Sequence, residues 1–258
     1  MPPGRIITSG EGEGDSQSLW LSDEPAAAGL WARIHAQHGR SGQWPLLLDA
    51  LDPEDADFRP WGSGELFPEQ MSAAASHSPA DLLAKWWADY TADDEDDDVL
   101  SSEERLAVTA PFGQSWPGRA PSRKAVTSAD QLAADYAEVF LSDHPRSRLG
   151  LVTAASGAEA LTTAGWSGPA KYDNDTAKFS AVVGDWENRF GARVVAVGFS
   201  TLHLSVAAPP TTDEDALLVA AEHFAFCPDN IWQGRQPYTL SAYAERLTQV
   251  YNWDFWWD

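Results

Sequence analysis

The chain has 258 residues, enough for one or two domains, and its 43% hydrophobic and 22% charged residues are typical of a globular protein. Its 39 acidic and 17 basic side chains give a formal net charge of −22, which argues against binding to nucleic-acid phosphates or to anionic membranes. The single cysteine, Cys227, excludes an internal disulfide framework and a multi-cysteine zinc finger.

The compartment is predicted from the same composition. The chain begins Met1-Pro-Pro-Gly-Arg and shows no apolar segment of the kind that secretory signals carry. No stretch approaches the ~20 apolar residues that a membrane span needs. With one thiol and no export signal, we expect a cytoplasmic protein. The alanine-, proline- and acid-rich composition favours a bacterial, specifically actinobacterial, origin.

Residues 1–92 predict a mixed α/β region. The Leu-Trp-Leu segment at 19–21 predicts a short buried strand, and an acidic start signal then predicts a helix over 26–38. The Trp-Pro-Leu-Leu-Leu segment at 44–48 predicts a strand that is buried on both faces. Ser78 followed by proline predicts the start of a second helix.

A linker is expected over residues 93–126. It opens with six adjacent acids, Asp93–Asp98, which repel one another and cannot pack into a core. The run lacks the alternating spacing and the distal glutamate of a calcium loop, so we expect a solvated segment; the alternative is an electrostatic lure for a basic partner. The rest of the range is rich in proline, serine and glycine.

Residues 127–258 predict a C-terminal domain. Its clearest helix ends at Phe190 and carries apolar residues at i, i+3, i+4, i+7 and i+11 from Phe179, a pattern that buries one face. In chain order we expect a helix over 128–141, a strand over 148–153, a helix capped by Asn174 or Asp175, strands over 193–199 and 201–206, a helix after Thr211 or Thr212, a helix after Thr239 and a final strand over 253–258.

The predicted fold class is α+β. From the strand at 148–153 onward the order is β-α-β-β-α-α-β, which with one helix set aside matches the split βαβ arrangement of ferredoxin-like folds. Right-handed crossovers would place the main helices on one face of a four-stranded antiparallel sheet. A smaller mixed α/β region would precede this domain.

Short motifs within residues 150–258 occur in a characteristic order. They are Gly165-Trp166, the segment Trp186–Ala192, the segment Val206–Pro210, the segment Ala221–Asp229, Gln233-Gly234 and the terminal Phe255–Asp258. In order and spacing they resemble the bacterial family of domains of unknown function numbered 4253. Family members usually have two glycines before the first tryptophan and an Asn-Glu-Cys-Pro segment after it. Residues 164–169, Ala-Gly-Trp-Ser-Gly-Pro, depart from both, so a thiol role there is absent.

One candidate catalytic group is Cys227 with His223 and Asp229. His223 and Cys227 are four residues apart, so they share a face of one helix. An imidazole beside a thiol can deprotonate it and create a nucleophile, and Asp229 could orient the imidazole. The structural alternative makes Cys227 a small buried residue at a helix end, with Asp229 capping the next turn.

Two other groups have both a functional and a structural interpretation. His35 and His38 are three residues apart and would ligate a metal if carboxylates converged on them, but an exposed surface position is the expectation. Most of the 13 tryptophans are expected in the core. The four that could instead line a recognition surface or wall a pocket are Trp44, Trp61, Trp166 and Trp232.

The function expected from these observations is binding rather than catalysis. No phosphate-binding loop, dinucleotide fingerprint, nucleophile elbow or zinc-deaminase signature is present, so we expect no cofactor and no metal. An acidic surface attracts basic proteins, so we expect a non-enzymatic protein-binding or regulatory module with a basic partner, for instance an immunity-type neutraliser of a basic toxin. The alternative is a small-molecule enzyme with Cys227 as nucleophile.

Overall fold

A single mixed sheet organises the part of the chain that the computed structural model describes, which is residues 1–10, 16–52, 54–92 and 102–258. Its seven strands lie in the order β1-β2-β4-β3-β5-β6-β7, and only β3 and β5 pair in parallel. The strands are β1 (Gly4–Thr8), β2 (Gln17–Pro25), β3 (Gln43–Leu48), β4 (Arg148–Thr153), β5 (Ala192–Val197), β6 (Thr201–Val206) and β7 (Asn252–Trp256).

Helices cover both faces of this sheet. The α-helices of the described residues are α1 (Leu30–His35), α2 (His38–Ser41), α3 (Pro79–Thr91), α4 (Ser102–Val108), α5 (Ala129–Asp143), α6 (Gly157–Ala164), α7 (Thr176–Phe190), α8 (Asp213–Phe226), α9 (Asp229–Trp232) and α10 (Leu240–Glu245).

Strand β3 lies at the centre of the sheet and confirms the prediction of a strand buried on both faces. It pairs antiparallel with β4 and parallel with β5. Leu46 and Leu48 belong to the larger core, on the side of α6, α7 and α8, whereas Leu47 belongs to a smaller core under α1 and α5. Because side chains alternate along a strand, the apolar run of β3 is buried against both helical layers.

The α+β class is confirmed, but the sheet differs from a ferredoxin-like one. In that arrangement β4 would pair with β6 and β7. In the structure β2 and β3 occupy the two edges of β4, and β7 pairs with the far edge of β6. The helices also occupy both faces, since α5 packs on the face opposite α7 and α8. The difference arises because β3, from the N-terminal region, is inserted between β4 and β5.

The expected linker range 93–126 has definite structure over much of its length. The acidic run Asp93–Asp98 lies outside the described residues. Beyond it, α4 forms, Ala120 is buried, and the backbone N–H of Arg123 donates to the carbonyl of Arg189 at 2.9 Å. The regions 1–92 and 127–258 both contribute strands to the one sheet.

Most predicted helix starts are confirmed by capping hydrogen bonds. The side chains of Ser78, Ser128, Asp175, Thr212 and Thr239 each accept a backbone N–H in the first turn of α3, α5, α7, α8 and α10. The aromatic tail is a strand, as expected.

The predicted first helix over 26–38 is wrong at both ends. Strand β2 continues to Pro25, which pairs with Arg148, and the N–H of Ala26 donates to the carbonyl of Ser147 at 2.8 Å. Gly29 adopts φ 72°, so helical geometry begins only at Leu30. The helix then ends at His35, and His38 begins the separate short helix α2.

Candidate functional site

The thiol of Cys227 lies inside the core, where α8 ends. Its Sγ donates to the carbonyl of Trp256 at 2.9 Å and approaches the amide oxygen of Asn230 at 3.5 Å. Burial raises the pKa of the thiol well above its ordinary range. A thiolate, the nucleophilic form, is therefore disfavoured at this position.

His223 lies one helical turn earlier and is also fully buried. Its Nδ1 bonds the hydroxyl of Tyr243 at 3.0 Å, and its ring packs edge-on against Trp253 at 4.5 Å. Burial lowers the pKa of His223 to about 3, so the imidazole is neutral at physiological pH. The imidazole and the thiol thus bind different partners and do not form an acid–base pair.

Asp229 is 1% exposed and does not orient His223. Its carboxylate accepts from the Tyr172 hydroxyl at 2.8 Å, the Gln233 amide at 3.0 Å and the backbone N–H of Asp258 at 3.1 Å. These bonds connect α9 to the residues after β7. The segment 223–229 therefore joins α8 and α9 to the aromatic strand.

The four tryptophans considered for recognition are mostly core residues. Trp61 and Trp166 are fully buried, and their indole N–H groups donate to the carbonyls of Asp49 at 2.7 Å and Gly198 at 2.9 Å. Trp44 is 4% exposed and donates to the carbonyl of Val194 at 3.1 Å. Trp232 is half-buried and packs against Tyr90. Trp44 also lines a cavity.

That cavity, which we call the histidine cleft, has a volume of about 900 Å³. It lies where β3 and β5 begin and β4 ends, so the sheet positions its walls. The lining side chains by which we define the cleft are His35, His38, Trp44, Asp130, Glu187 and Arg193. A concave site with convergent polar groups is the usual form of a small-ligand site.

The two histidines form an aromatic wall of the cleft. The ring of His35 stacks on Trp31 at 4.6 Å and meets Trp44 edge-on at 4.8 Å. Burial lowers the pKa of His35, which favours its neutral form. His38 Nε2 lies 2.8 Å from the carbonyl of Ala154, which can only accept, so Nε2 carries the proton. Nδ1 of a neutral His38 is therefore an acceptor.

Three further lining side chains, Asp130, Glu187 and Arg193, carry the charges of the cleft. Glu187, from the last turns of α7, reaches the N-terminus of α6, where its carboxylate accepts the backbone N–H of Ala158 at 3.1 Å. Burial raises the pKa of Glu187, an effect that hydrogen bonds from α6 partly offset. The guanidinium Nε of Arg193 donates to Asp130 at 2.9 Å.

In the described part of the chain, His35 and His38 are not joined by further side chains that could ligate a metal with them. Within residues 1–10, 16–52, 54–92 and 102–258, no three His, Cys, Asp or Glu side chains are grouped so that they could hold an ion. Both histidines are partly buried and line the cleft, whereas the sequence predicts an exposed surface position. Glu187 stands in the motif Trp186–Ala192 that carries the family resemblance, which was the available signal for this residue.

A second groove, of about 870 Å³, has Ser72 and His77 in its wall. The Ser72 hydroxyl donates to Asp175 at 2.6 Å and lies 2.6 Å from His77 Nε2. In a hydrolase triad the histidine stands between serine and aspartate and takes the hydroxyl proton. Here the Asp175 carboxylate itself accepts the hydrogen bond of the Ser72 hydroxyl and also caps α7, so the group holds the loop before α3 to that helix.

Comparisons with known proteins identify one family that part of the chain resembles. No curated protein matches the chain, and no solved structure matches it. In the described part of the chain, no helix combines the length and the apolar character needed to cross a membrane. A family model described as "Domain of unknown function (DUF4253)" matches residues 148–258, from the start of β4 through β7. The C-terminal part of the chain, residues 148–258, is therefore a match to the DUF4253 family, as its motifs indicated.

Proposed function

We propose that this chain is a non-enzymatic binding module whose acidic surface recognises a basic protein. The observation that carries the proposal is the charge balance of 39 acidic against 17 basic side chains. A net charge of this size produces a negative potential around the whole molecule, which accelerates association with a positively charged partner.

The ion pairs leave the acidic excess largely uncompensated. Within the described residues, at least nine basic side chains already lie within 4.0 Å of a carboxylate of the same chain. They are Arg5, Arg59, Lys85, Arg119, Arg123, Arg146, Lys178, Arg189 and Arg193. Since acids outnumber bases more than twofold, many surface carboxylates are left for an external cation.

The enzymatic alternative has less support. It requires a reactive thiol at Cys227, and that thiol is fully buried and bonded to a backbone carbonyl. Neutralisation of a basic toxin, as immunity proteins perform it, is one function that the binding proposal includes. We place this role in the cytoplasm, because the cysteine of the chain is a free thiol.

The test is a salt-dependent capture experiment. The full chain is used to isolate its partner from extracts of the native host, and the association rate is then measured with the purified pair. The proposal predicts a basic partner and a rate that falls steeply as salt screens the charges. A partner without excess positive charge, a rate that is independent of salt, or the absence of any captured protein contradicts the proposal.

Two variants make this test specific for charge. In the first, the six acids of the run Asp93–Asp98 are replaced by Asn and Gln, which removes their charge. In the matched control each Asp becomes Glu and Glu95 becomes Asp, which keeps the charge and changes only side-chain length. We expect the neutral variant to associate on the order of tenfold more slowly and the control to retain its rate.

A further inference from the structure

We propose that the histidine cleft is a binding site for a primary ammonium group, carried by a small amine or by a lysine side chain. This inference is independent of the acidic-surface proposal, since it rests on the side chains of one cavity rather than on the charge of the whole protein.

The charges of the cleft favour a cation. Its defining residues contain two carboxylates, Asp130 and Glu187, and one guanidinium, that of Arg193. The guanidinium is already held by Asp130 and by the carbonyl of Ala192 at 2.8 Å. An anion would also find the N-terminus of α6 occupied, because the Glu187 carboxylate binds there.

Gln131 and Asn188 also line the cleft, and several hydrogen-bond donors of its side chains are bonded within the protein. The amide nitrogen of Gln131 donates to Asp135 at 2.8 Å, and that of Asn188 donates to the carbonyl of Gly184 at 2.8 Å. The protonated Nε2 of His38 donates to Ala154. The acceptors of the same groups, the two amide oxygens and His38 Nδ1, are not used by these bonds.

An ammonium group complements this arrangement. It offers three donors and no acceptor, so it complements the two carboxylates, the two amide oxygens and His38 Nδ1. The volume of about 900 Å³ admits a chain of several carbons attached to the nitrogen.

The test follows the imidazole C–H signals of the full chain by NMR during titration. The probe is n-butylammonium chloride, and sodium butyrate, of the same carbon skeleton and opposite charge, is the control. We expect the signals of His35 and His38 to shift with n-butylammonium and to stay in place with butyrate. Equal shifts with both probes, or no shift with n-butylammonium, overturns the proposal.

Charge-removing variants locate the site. Asp130 lies in the first turn of α5 with 60% of its side chain exposed, so Asp130→Asn leaves the core intact. Asp213, also in the first turn of a helix but outside the cleft, is the matched control as Asp213→Asn. We expect Asp130→Asn to weaken n-butylammonium binding by about tenfold and Asp213→Asn to leave it unchanged. Equal affinities of the two variants contradict the assignment.

Glu187→Gln is a second variant of the same site, and we expect it to weaken n-butylammonium binding by the same factor. Because Glu187 also caps α6, this variant is used only if its unfolding transition matches that of the native chain; Asp130→Asn otherwise decides the result.

A peptide that contains one lysine separates the two sources of the ammonium group. If both the peptide and n-butylammonium shift the His35 and His38 signals, the cleft accepts a chain-borne lysine. If n-butylammonium alone shifts them, the cleft serves free amines. Both results support an ammonium site, whereas shifts with neither probe exclude it.

Discussion

Glu222 is a fully buried carboxylate whose partners are all inside the protein. It accepts from the backbone N–H of Ala120 at 2.7 Å, from the indole of Trp186 at 2.7 Å, and from the guanidinium of Arg189. Arg189 also pairs with Asp185 at 2.7 Å. This network fastens the segment around residue 120 to α7 and α8. Its members depend on one another, because a buried charge without its partner is strongly unfavourable.

We therefore expect Glu222→Gln to lower the free energy of unfolding by about 3–5 kcal/mol, because Arg189 would lose its fully buried counter-charge and keep only the partly buried Asp185. The exposed pair of Arg5 and Asp23 provides the control, since Asp23→Asn should change stability by less than about 1 kcal/mol. Urea unfolding measures both. Similar losses in the two variants contradict the assigned role of the buried pair.

The environment of Cys227 predicts an inert thiol. Because the side chain is fully buried and its pKa is raised, a thiol reagent such as DTNB should label the native protein only as fast as it unfolds. The denatured chain should react at once. Rapid labelling of the folded protein would restore Cys227 as a candidate nucleophile.

At the level of elements, the end of α6 is fixed by a glycine. Gly165 has φ 71° and closes the helix, and a Cβ placed on it would lie 2.2 Å from the backbone nitrogen of Pro68. The loop before α3 thus passes directly over this turn, and the N–H of Phe67 donates to the carbonyl of Gly165 at 2.7 Å. The turn accepts only a residue without a side chain.

Gly165→Ala should lower the free energy of unfolding by more than about 2 kcal/mol, through left-handed strain and the clash with Pro68. A methyl group on Gly39, in α2, would meet no atom within 4 Å beyond its own helix backbone and chain neighbours. Gly39→Ala should therefore leave stability unchanged or raise it by up to about 1 kcal/mol. Thermal unfolding compares the two variants. If Gly165→Ala unfolds at the same temperature as the native chain, the close approach of Pro68 to Gly165 is contradicted.

The start of α7 predicts a pH dependence. Burial alone would raise the pKa of Asp175, but hydrogen bonds from Ser72 and Ala177 and the nearby His77 lower it below its ordinary value of 3.8. Because the pKa is lowered, the ionised carboxylate of Asp175 stabilises the fold above pH 3.8. This contribution is lost as the pH falls toward the folded-state pKa.

Asp175→Asn keeps a cap at this position but removes the titration. Its stability should therefore fall less than that of the native chain between about pH 5 and pH 3. Asp81→Asn, in the first turn of α3, is the control, and its free energy of unfolding should depend on pH as that of the native chain does. If the free energy of unfolding of Asp175→Asn falls as steeply with decreasing pH as that of the native chain, the mechanism is contradicted.

At the level of the whole molecule, the sequence predicts local structure well and long-range pairing poorly. Caps such as Thr212 and the apolar run of β3 depend on neighbouring residues, and both are predicted. The pairing of Trp44 with Val152 joins residues that are 108 positions apart, and no local pattern encodes it. The ferredoxin-like expectation is therefore wrong, because it considers only strands that follow one another along the C-terminal region.

The same limit applies to the histidine cleft. The spacing of His35 and His38 is visible in the sequence, but Asp130, Glu187 and Arg193 are distant from them along the chain. They meet the histidines only because β3 lies between β4 and β5. The family match over residues 148–258 does not include β3, so the matched segment lacks the strand that joins its own β4 to β5.

The central claim is thus that residues 1–92 and 127–258 form one cooperative unit around β3. Thermal unfolding of the full chain and of the fragment 127–258, followed by circular dichroism and NMR, tests it most directly. We expect one transition for the full chain and no cooperative transition for the fragment, because the fragment lacks the central strand. A fragment that unfolds cooperatively with dispersed NMR signals would contradict the claim.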